Sequence, residues 1–369
     1  MSIPTVQATE QTPGQTPGTT TTQPTLAEQA PVLLSRIAGY VAHRTVVIGL
    51  RAGLLSAVAD RPGIGADELA AGLGLDPFYV SVWCRSAFAA GILARSGDGD
   101  GDGGFELEPH LDTLLLDTSS PAYLGDVFLV CDAPEMFGRF EENLASGRRM
   151  WWDDTTPDWI NGVAGAGTPF YTRLIPAGLA HVPGLAERLT DGCRIVDTAC
   201  GSGVGLVRLA ATYPNCTVVG VDGDRHSVEL ARERIRAAGL EDRVRLVCSP
   251  LEDMVLDERA GLVVNNISMH ECRDADLVTR NVAAALEPGG WFVISDFPFP
   301  DSDAGLRSPP GQVMCGIQFF EAQIDDQLVP RSTYDELLAR HGFTHIGSVQ
   351  LTPMHALTYG QVPAAGSGG

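Results

Sequence analysis

One stretch constrains this chain more than any other: Val196-Asp197-Thr198-Ala199-Cys200-Gly201-Ser202-Gly203-Val204-Gly205, followed by Thr217-Val218-Val219-Gly220-Val221-Asp222. It reads as a strand, a glycine-rich turn, a helix and a second strand that ends in an acid. Glycine is needed where backbone must turn tightly and approach a ligand, because a Cβ would collide. An acid closing the second strand of such a βαβ unit can accept both hydroxyls of a ribose. The pattern therefore predicts an α/β domain with a doubly wound parallel sheet and a nucleoside-containing cofactor. The dinucleotide pattern G-x-G-x-x-G fails, because Leu206 stands where the third glycine belongs when the pattern starts at Gly201. A phosphate-binding loop ending in G-K-[ST] is excluded as well, since all 25 basic residues are arginine.

What fits is acid-x-G-x-G-x-G, with Asp197 as the acid, Ala199 in place of the first glycine, and Gly201 and Gly203 as the other two. This resembles motif I of the class I S-adenosylmethionine-dependent methyltransferases. The resemblance implies a Rossmann-like seven-stranded sheet whose last hairpin is antiparallel, and S-adenosylmethionine as cofactor. It implies that Gly201 and Gly203 lie against the cofactor, that Asp222 holds the ribose and that Asp197 anchors the ammonium side. Asn265 and Tyr171 join the same cofactor set. Cys248-Ser249-Pro250-Leu251 departs from the Gly-Asp found in many relatives, so Ser249, Glu252 or a backbone carbonyl takes the adenine contact there.

Along the chain, residues 1–24 are rich in Thr, Gln, Pro and Gly, are nearly devoid of large apolar groups and predict disorder. Thr25-Leu26-Ala27-Glu28 is a capping-box pattern that opens a helix. Two helical patterns within 66–95, a loop carrying Asp98, Asp100 and Asp102, and the strand-like Phe105-Glu106-Leu107 have the order of a winged helix. The same order opens small-molecule methyltransferases of the type this chain resembles, and the resemblance implies a dimerisation domain over 25–120, a helical linker that walls a substrate pocket over 121–190, the cofactor-binding domain over 191–362 and a tail over 363–369. A winged helix that reads DNA needs basic residues on its second helix and wing. Here that helix carries only Arg85, and the net charge of −21 opposes nucleic acid and anionic membranes alike. Eight cysteines without C-x-x-C spacing predict a reduced, cytoplasmic setting. No signal peptide is recognised, and no apolar run reaches the ~18 residues of a membrane span.

Beyond the fourth strand of this sheet lies Asn265-Asn266-Ile267-Ser268-Met269-His270-Glu271-Cys272-Arg273-Asp274. His270 falls in the crevice at the strand ends, and where plant-type O-methyltransferases carry their catalytic histidine. An imidazole can take the proton of a phenol as the methyl group arrives. Asp274 stands where H-E-x-x-H would need its second histidine, which excludes a zinc-protease site. Met314, Phe319 and Phe320 are candidates for an apolar slot, and Glu321 for polarising His270 or the acceptor. His226, His341, His345 and His355 read as surface residues of helices and strands. The expected reaction is methyl transfer to a small apolar or aromatic hydroxyl compound in bacterial secondary metabolism, by a homodimer joined through its N-terminal half. The alternatives are a carbon or nitrogen acceptor, with His270 as ligand of an iron, and a DNA-binding regulator.

Overall fold

Thr25 and Glu28 open the first helix as the sequence predicts: Thr25 Oγ1 accepts the Glu28 N–H at 3.3 Å, and the Glu28 carboxylate accepts the Thr25 N–H at 2.7 Å. The computed structural model describes residues 23–97 and 103–364. The expectations for the loop aspartates Asp98, Asp100 and Asp102, and for most of both tails, fall outside the described residues. Helix α1 (Leu26–Arg51) leads into α2 (Leu54–Asp60), α3 (Ala66–Leu73) and α4 (Pro77–Ala89). A hairpin of β1 (Leu93–Arg95) and β2 (Phe105–Leu107) follows. Leu55, Leu69, Trp83, Leu93 and Phe105 meet in one core, and the Trp83 indole N–H donates to the Thr45 carbonyl at 2.9 Å, tying α4 to α1. Helices α5 (Leu111–Leu115), α6 (Gly125–Cys131), α7 (Pro134–Asn143) and α8 (Pro157–Arg173) join this half to the next.

The second half alternates strand and helix. Its strands are β3 (Arg194–Thr198), β4 (Thr217–Asp222), β5 (Val244–Cys248), β6 (Ala260–Asn266), β7 (Leu286–Asp296), β8 (Thr344–Thr352) and β9 (His355–Gln361). Its helices are α9 (Leu185–Asp191), α10 (Val204–Thr212), α11 (Arg225–Ala237), α12 (Ala275–Ala285), α13 (Asp303–Arg307), α14 (Pro309–Glu321) and α15 (Arg331–Arg340). The sheet order is β5-β4-β3-β6-β7-β9-β8, parallel except where β9 pairs with β7 and β8. The chain moves outward from β3 to β5 and then returns to the other side of β3. That reversal opens a crevice at the carboxyl ends of β3 and β6.

Both faces of the sheet are covered, so the strands read as nearly continuous apolar runs rather than alternating ones. Leu262 and Val264 pack against Leu174, Ile175 and Leu206 on one face. Val263 packs with Phe292, Ile294 and Leu338 on the other. Among the described residues no single helix is long and apolar enough to cross a bilayer.

Leu286 to Gly290, a Pro-Gly-Gly segment with the composition of a turn, belongs to β7, and a register shift between Ala260 and Leu262 of β6 absorbs the irregularity. The cap of α11 is Asp224, whose carboxylate accepts the Ser227 N–H at 2.6 Å. Asp224→Ala should therefore cost about 1 kcal/mol in chemical denaturation, the usual loss for an N-cap. Ser227→Ala should cost clearly less. A larger effect at Ser227 would move the cap to it.

Candidate functional site

A cavity of about 520 Å³ lies at the carboxyl ends of β3, β4 and β6, roofed by α8. Its near wall is the glycine-rich turn with Ala199, Cys200, Gly201 and Ser202. Asp222, Gly223, Pro250, Leu251 and Glu252 line one end, and Trp151, Glu271, Cys272 and Arg273 line another part. Ile160, Val163, Gly167 and Tyr171 of α8 face it from above.

Asp222 closes β4 with a carboxylate fixed on two sides. Its Oδ2 accepts the Gly201 N–H at 2.7 Å and its Oδ1 the Asp224 N–H at 2.8 Å. Burial pushes its pKa up to about 6 against the two N–H bonds that lower it. The carboxylate and the glycine turn thus hold each other in place at the cavity wall. Gly201 has φ +52°, and a Cβ built on it would meet nothing within 4 Å. The turn conformation is what calls for glycine at this position.

Gly203 is different. It has φ +80°, and its Cβ would come to 2.9 Å from the Ala231 Cβ of α11. It serves helix packing and is not part of the cavity wall. Asp197 also lies away from the cavity. It is fully buried, its carboxylate accepts the Tyr171 hydroxyl at 3.0 Å, and burial raises its pKa to about 8. Tyr171 is the member of this pair that lines the cavity. Asn265 points to the other face, its amide 3.2 Å from Thr198 Oγ1, while its neighbour Asn266 lines the cavity. Ser249 is half-buried and outside the wall, where Pro250, Leu251 and Glu252 stand in its place.

The chemistry-bearing cluster sits behind Glu271. His270 is buried, with Nδ1 2.9 Å from Asp296 Oδ2 and Nε2 3.9 Å from Glu321 Oε1. Asp296 also accepts the Tyr334 hydroxyl at 2.6 Å and the Phe297 N–H at 2.8 Å. Burial works against a charge on His270, but Asp296, aided by Glu321, outweighs it and holds the pKa well above the ordinary histidine range. Burial and the neighbouring Glu321 push Glu271 well above the usual carboxyl range. Glu321 Oε2 is buried without a hydrogen-bond partner. Of this cluster, Glu271 is the residue that reaches the cavity.

The segment around Phe320 packs on the linker and forms no slot at the cavity. Phe320 lies 5.4 Å from the Trp152 ring and 4.5 Å from the Trp159 ring, and Phe319 stacks against Phe137 and Phe140. Met314 is buried and also lies outside the cavity wall. His355, read from sequence as a surface residue, is fully buried between Arg173 and Ser295. Sequence reasoning missed Asp296, Tyr334 and Asn266. Asp296 carries a usable signal, an acid that ends a strand, as Asp222 does.

The packing of Gly203 yields a direct test. Gly203→Val should lower the thermal midpoint or prevent folding, because its side chain meets α11 at a backbone angle that β-branched residues avoid. A variant that keeps its melting temperature and loses only ligand affinity would reverse this reading.

Comparison with known proteins agrees with this geometry. Residues 189–328 match a family model described as a methyltransferase domain. The chain is 34% identical over 126 residues to methyltransferase GfsG of Streptomyces halstedii, covering 33% of this chain and 45% of that protein. It is 31% identical over 173 residues to 27-O-demethylrifamycin SV methyltransferase of Amycolatopsis mediterranei, covering 47% and 57%. The chain thus spans about half the length of these curated relatives. The structure of human N-acetylserotonin methyltransferase in complex with S-adenosylmethionine covers 94% of this chain and 100% of its own, with a TM-score of 0.67 at 14% identity. At that identity the likeness speaks to the fold. Residues 189–328 thus carry a methyltransferase domain, and the sheet order around them is that of the class I S-adenosylmethionine-dependent methyltransferase fold.

Proposed function

We propose that this protein transfers a methyl group from S-adenosylmethionine to an oxygen of a small, largely apolar or aromatic hydroxyl compound. The observation that carries this is one cavity with two chemically different parts. A carboxylate fixed for a ribose lies at the glycine turn, and a proton-accepting cluster shows itself through Glu271. The residues fit the cofactor: Asp222 offers carboxylate oxygens, Gly201 lets the backbone turn without a side chain, and no cluster of cations is needed for a ligand without phosphate. Bound there, S-adenosylmethionine supplies a methyl group on a sulfonium. Trp151, Trp152, Ile160 and Val163 give the acceptor an apolar wall, and holding it in line supplies most of the acceleration.

In this reading His270 is the base, Glu321 polarises it, and Asp296 with Tyr334 fixes the ring. The raised pKa keeps the imidazole protonated at neutral pH, so the base becomes competent as pH rises through that value. His270→Ala should lower turnover by about 10²–10⁴-fold with cofactor affinity nearly unchanged. Asp296→Asn removes the main group that raises the pKa, so the rising limb of the kcat profile should move to lower pH while the rate falls. A limb that stays in place would detach Asp296 from the base. Release of S-adenosylhomocysteine against a panel of phenols, keto acids and amines identifies the acceptor class.

One observation favours a second reading. His270, Glu271 and Glu321 each offer a ligand atom, all within 4.8 Å of one another, a spacing that suits a divalent cation assisting methylation of an enolisable carbon. Activity lost to a chelator and restored by iron would select this reading over the first.

The assembly proposed with this activity is a homodimer through the N-terminal half. Val46, Leu54 and Leu55 are spent in the core, and Val47 is fully buried. Leu33, Leu34 and Ile37 of α1 remain 62–66% exposed, with Phe78 and Tyr79 of α4 at 69% and 76%. This face is apolar where a DNA reader needs cations, as expected of a protein-binding surface. Light scattering should give twice the 39.1 kDa chain mass, and Leu34→Asp should shift it toward one. A parent protein that scatters as a monomer at micromolar concentration would remove the dimer.

A further inference from the structure

Four polar side chains stand in single file from α8 to the cavity. Arg173 Nε donates to His355 Nδ1 at 2.9 Å, His355 Nε2 lies 2.7 Å from Ser295 Oγ, and Ser295 Oγ lies 2.7 Å from Asn266 Oδ1. His355 and Ser295 are fully buried and Asn266 is 2% exposed. The direction of the file follows from which groups can give a proton. A guanidinium only donates, so His355 Nδ1 accepts. Burial, with Arg173 beside it, holds the His355 pKa down to about 3 and the ring neutral. Its one proton is then on Nε2 and goes to Ser295 Oγ. The Ser295 hydroxyl gives its own proton to Asn266 Oδ1. If the Asn266 amide were reversed, Ser295 Oγ would face donors from both sides and its own proton would lose this acceptor.

The amide nitrogen of Asn266 is therefore turned away from the file. It is buried and has no hydrogen-bond partner, and Asn266 lies in the cavity wall. A buried donor left unpaired costs about 1–3 kcal/mol. Nothing in the packing requires an amide here, since Leu262 and Val264 occupy the same face of β6.

We propose that Asn266 is the donor end of a directional hydrogen-bond file and holds a lone-pair or anionic oxygen of the ligand in the cavity. The file begins at a guanidinium and every bond in it points the same way, so each donor is polarised by the one before it. Ser295 and His355 are positioning residues that keep the amide from turning. The inference rests on the reading of this cavity as the site of methyl transfer. Within that reading two oxygens qualify, the carboxylate of the cofactor's methionine tail and an oxygen of the acceptor.

The test uses the full chain and three variants. Asn266→Asp keeps the shape and the Ser295 contact but replaces the donor with an acceptor. Ser295→Ala frees the amide to turn, and Ser295→Thr restores the hydroxyl. Calorimetry gives Kd for S-adenosylhomocysteine and for 5′-methylthioadenosine, which lacks the amino-acid tail, and steady-state assays give KM and kcat for an acceptor found in the panel. If the oxygen is the cofactor's, Asn266→Asp should weaken S-adenosylhomocysteine at least tenfold and leave 5′-methylthioadenosine within twofold. If it is the acceptor's, cofactor affinity should hold while the acceptor KM rises at least tenfold. In either case Ser295→Ala should move the same constant in the same direction by a smaller factor, and Ser295→Thr should recover it. Should Asn266→Asp fail to fold, the Ser295 pair decides by the same constants. Variants that match the parent in every constant would overturn the proposal and leave the methyltransferase reading intact. A parent that binds neither nucleoside would overturn both.

Discussion

Tyr171 donates to Asp197 in a fully buried position, and this contact joins the linker helix α8 to the nucleotide-binding sheet. It exists because Gly205 has no side chain. A Cβ there would lie 2.1 Å from the Tyr171 ring and 2.6 Å from the Asp197 carboxylate. Gly205, two residues beyond the last glycine of the acid-x-G-x-G-x-G pattern, therefore makes room for the roof of the cavity. With the tyrosine seated, α8 lies across the ends of β3 and β6, and the linker aromatics Trp151 and Trp152 come to the same cavity. Without it, the crevice that the sheet reversal opens would be a groove open to water, where charges are screened and a sulfonium is exposed to hydrolysis.

Enclosure also explains the electrostatics of the His270 cluster. Glu271, Glu321, Asp326 and Asp296 crowd around one imidazole, and burial raises Asp326 to about 6 as it raises Glu271. Carboxyls this close in a dry environment cannot all be ionised, so protons are shared among them and the histidine. Arg273 does not relieve this at close range, since its guanidinium lies over the Trp151 ring at 3.5 Å. Such a cluster accepts a proton from the cavity once His270 has lost its own, as pH rises through the raised pKa. In the proposed reaction this matters because a phenolic acceptor must lose its proton as it gains the methyl group.

The sequence made the sheet legible because its strands are buried on both faces and its turns are marked by glycine and acid. β5 and β6 coincide with the apolar runs that begin at Val244 and Ala260, and the chain ends in the antiparallel hairpin that the resemblance implied. What could not be read was which way each residue faces. In a sheet covered on both sides, apolar residues continue without alternation, so nothing in Val264-Asn265-Asn266 says which asparagine meets the ligand. A one-residue difference exchanges the faces. The same ambiguity placed His355 on a surface, although β9 is an inner strand between β7 and β8. Gly203 and Gly201 look alike in the pattern. Only the position of α11 separates a glycine required by a neighbouring helix from one required by the turn.

The two asparagines also show why the cavity wall is built from paired polar residues rather than from a single ring of them. Asn265 spends its amide on Thr198 of β3, and so ties the two strands that flank the sheet reversal. Asn266 spends its carbonyl on Ser295 of β7, which ties the opposite neighbour. Strand β6 is thereby pinned to both adjacent strands at its carboxyl end, where ladder hydrogen bonding stops. That end carries the segment leading to His270 and Glu271. A shift of the segment by an ångström would be felt directly at the reacting centre. The polar side chains at this edge fix the geometry of the His270 cluster, and they leave the Asn266 amide nitrogen buried without a partner.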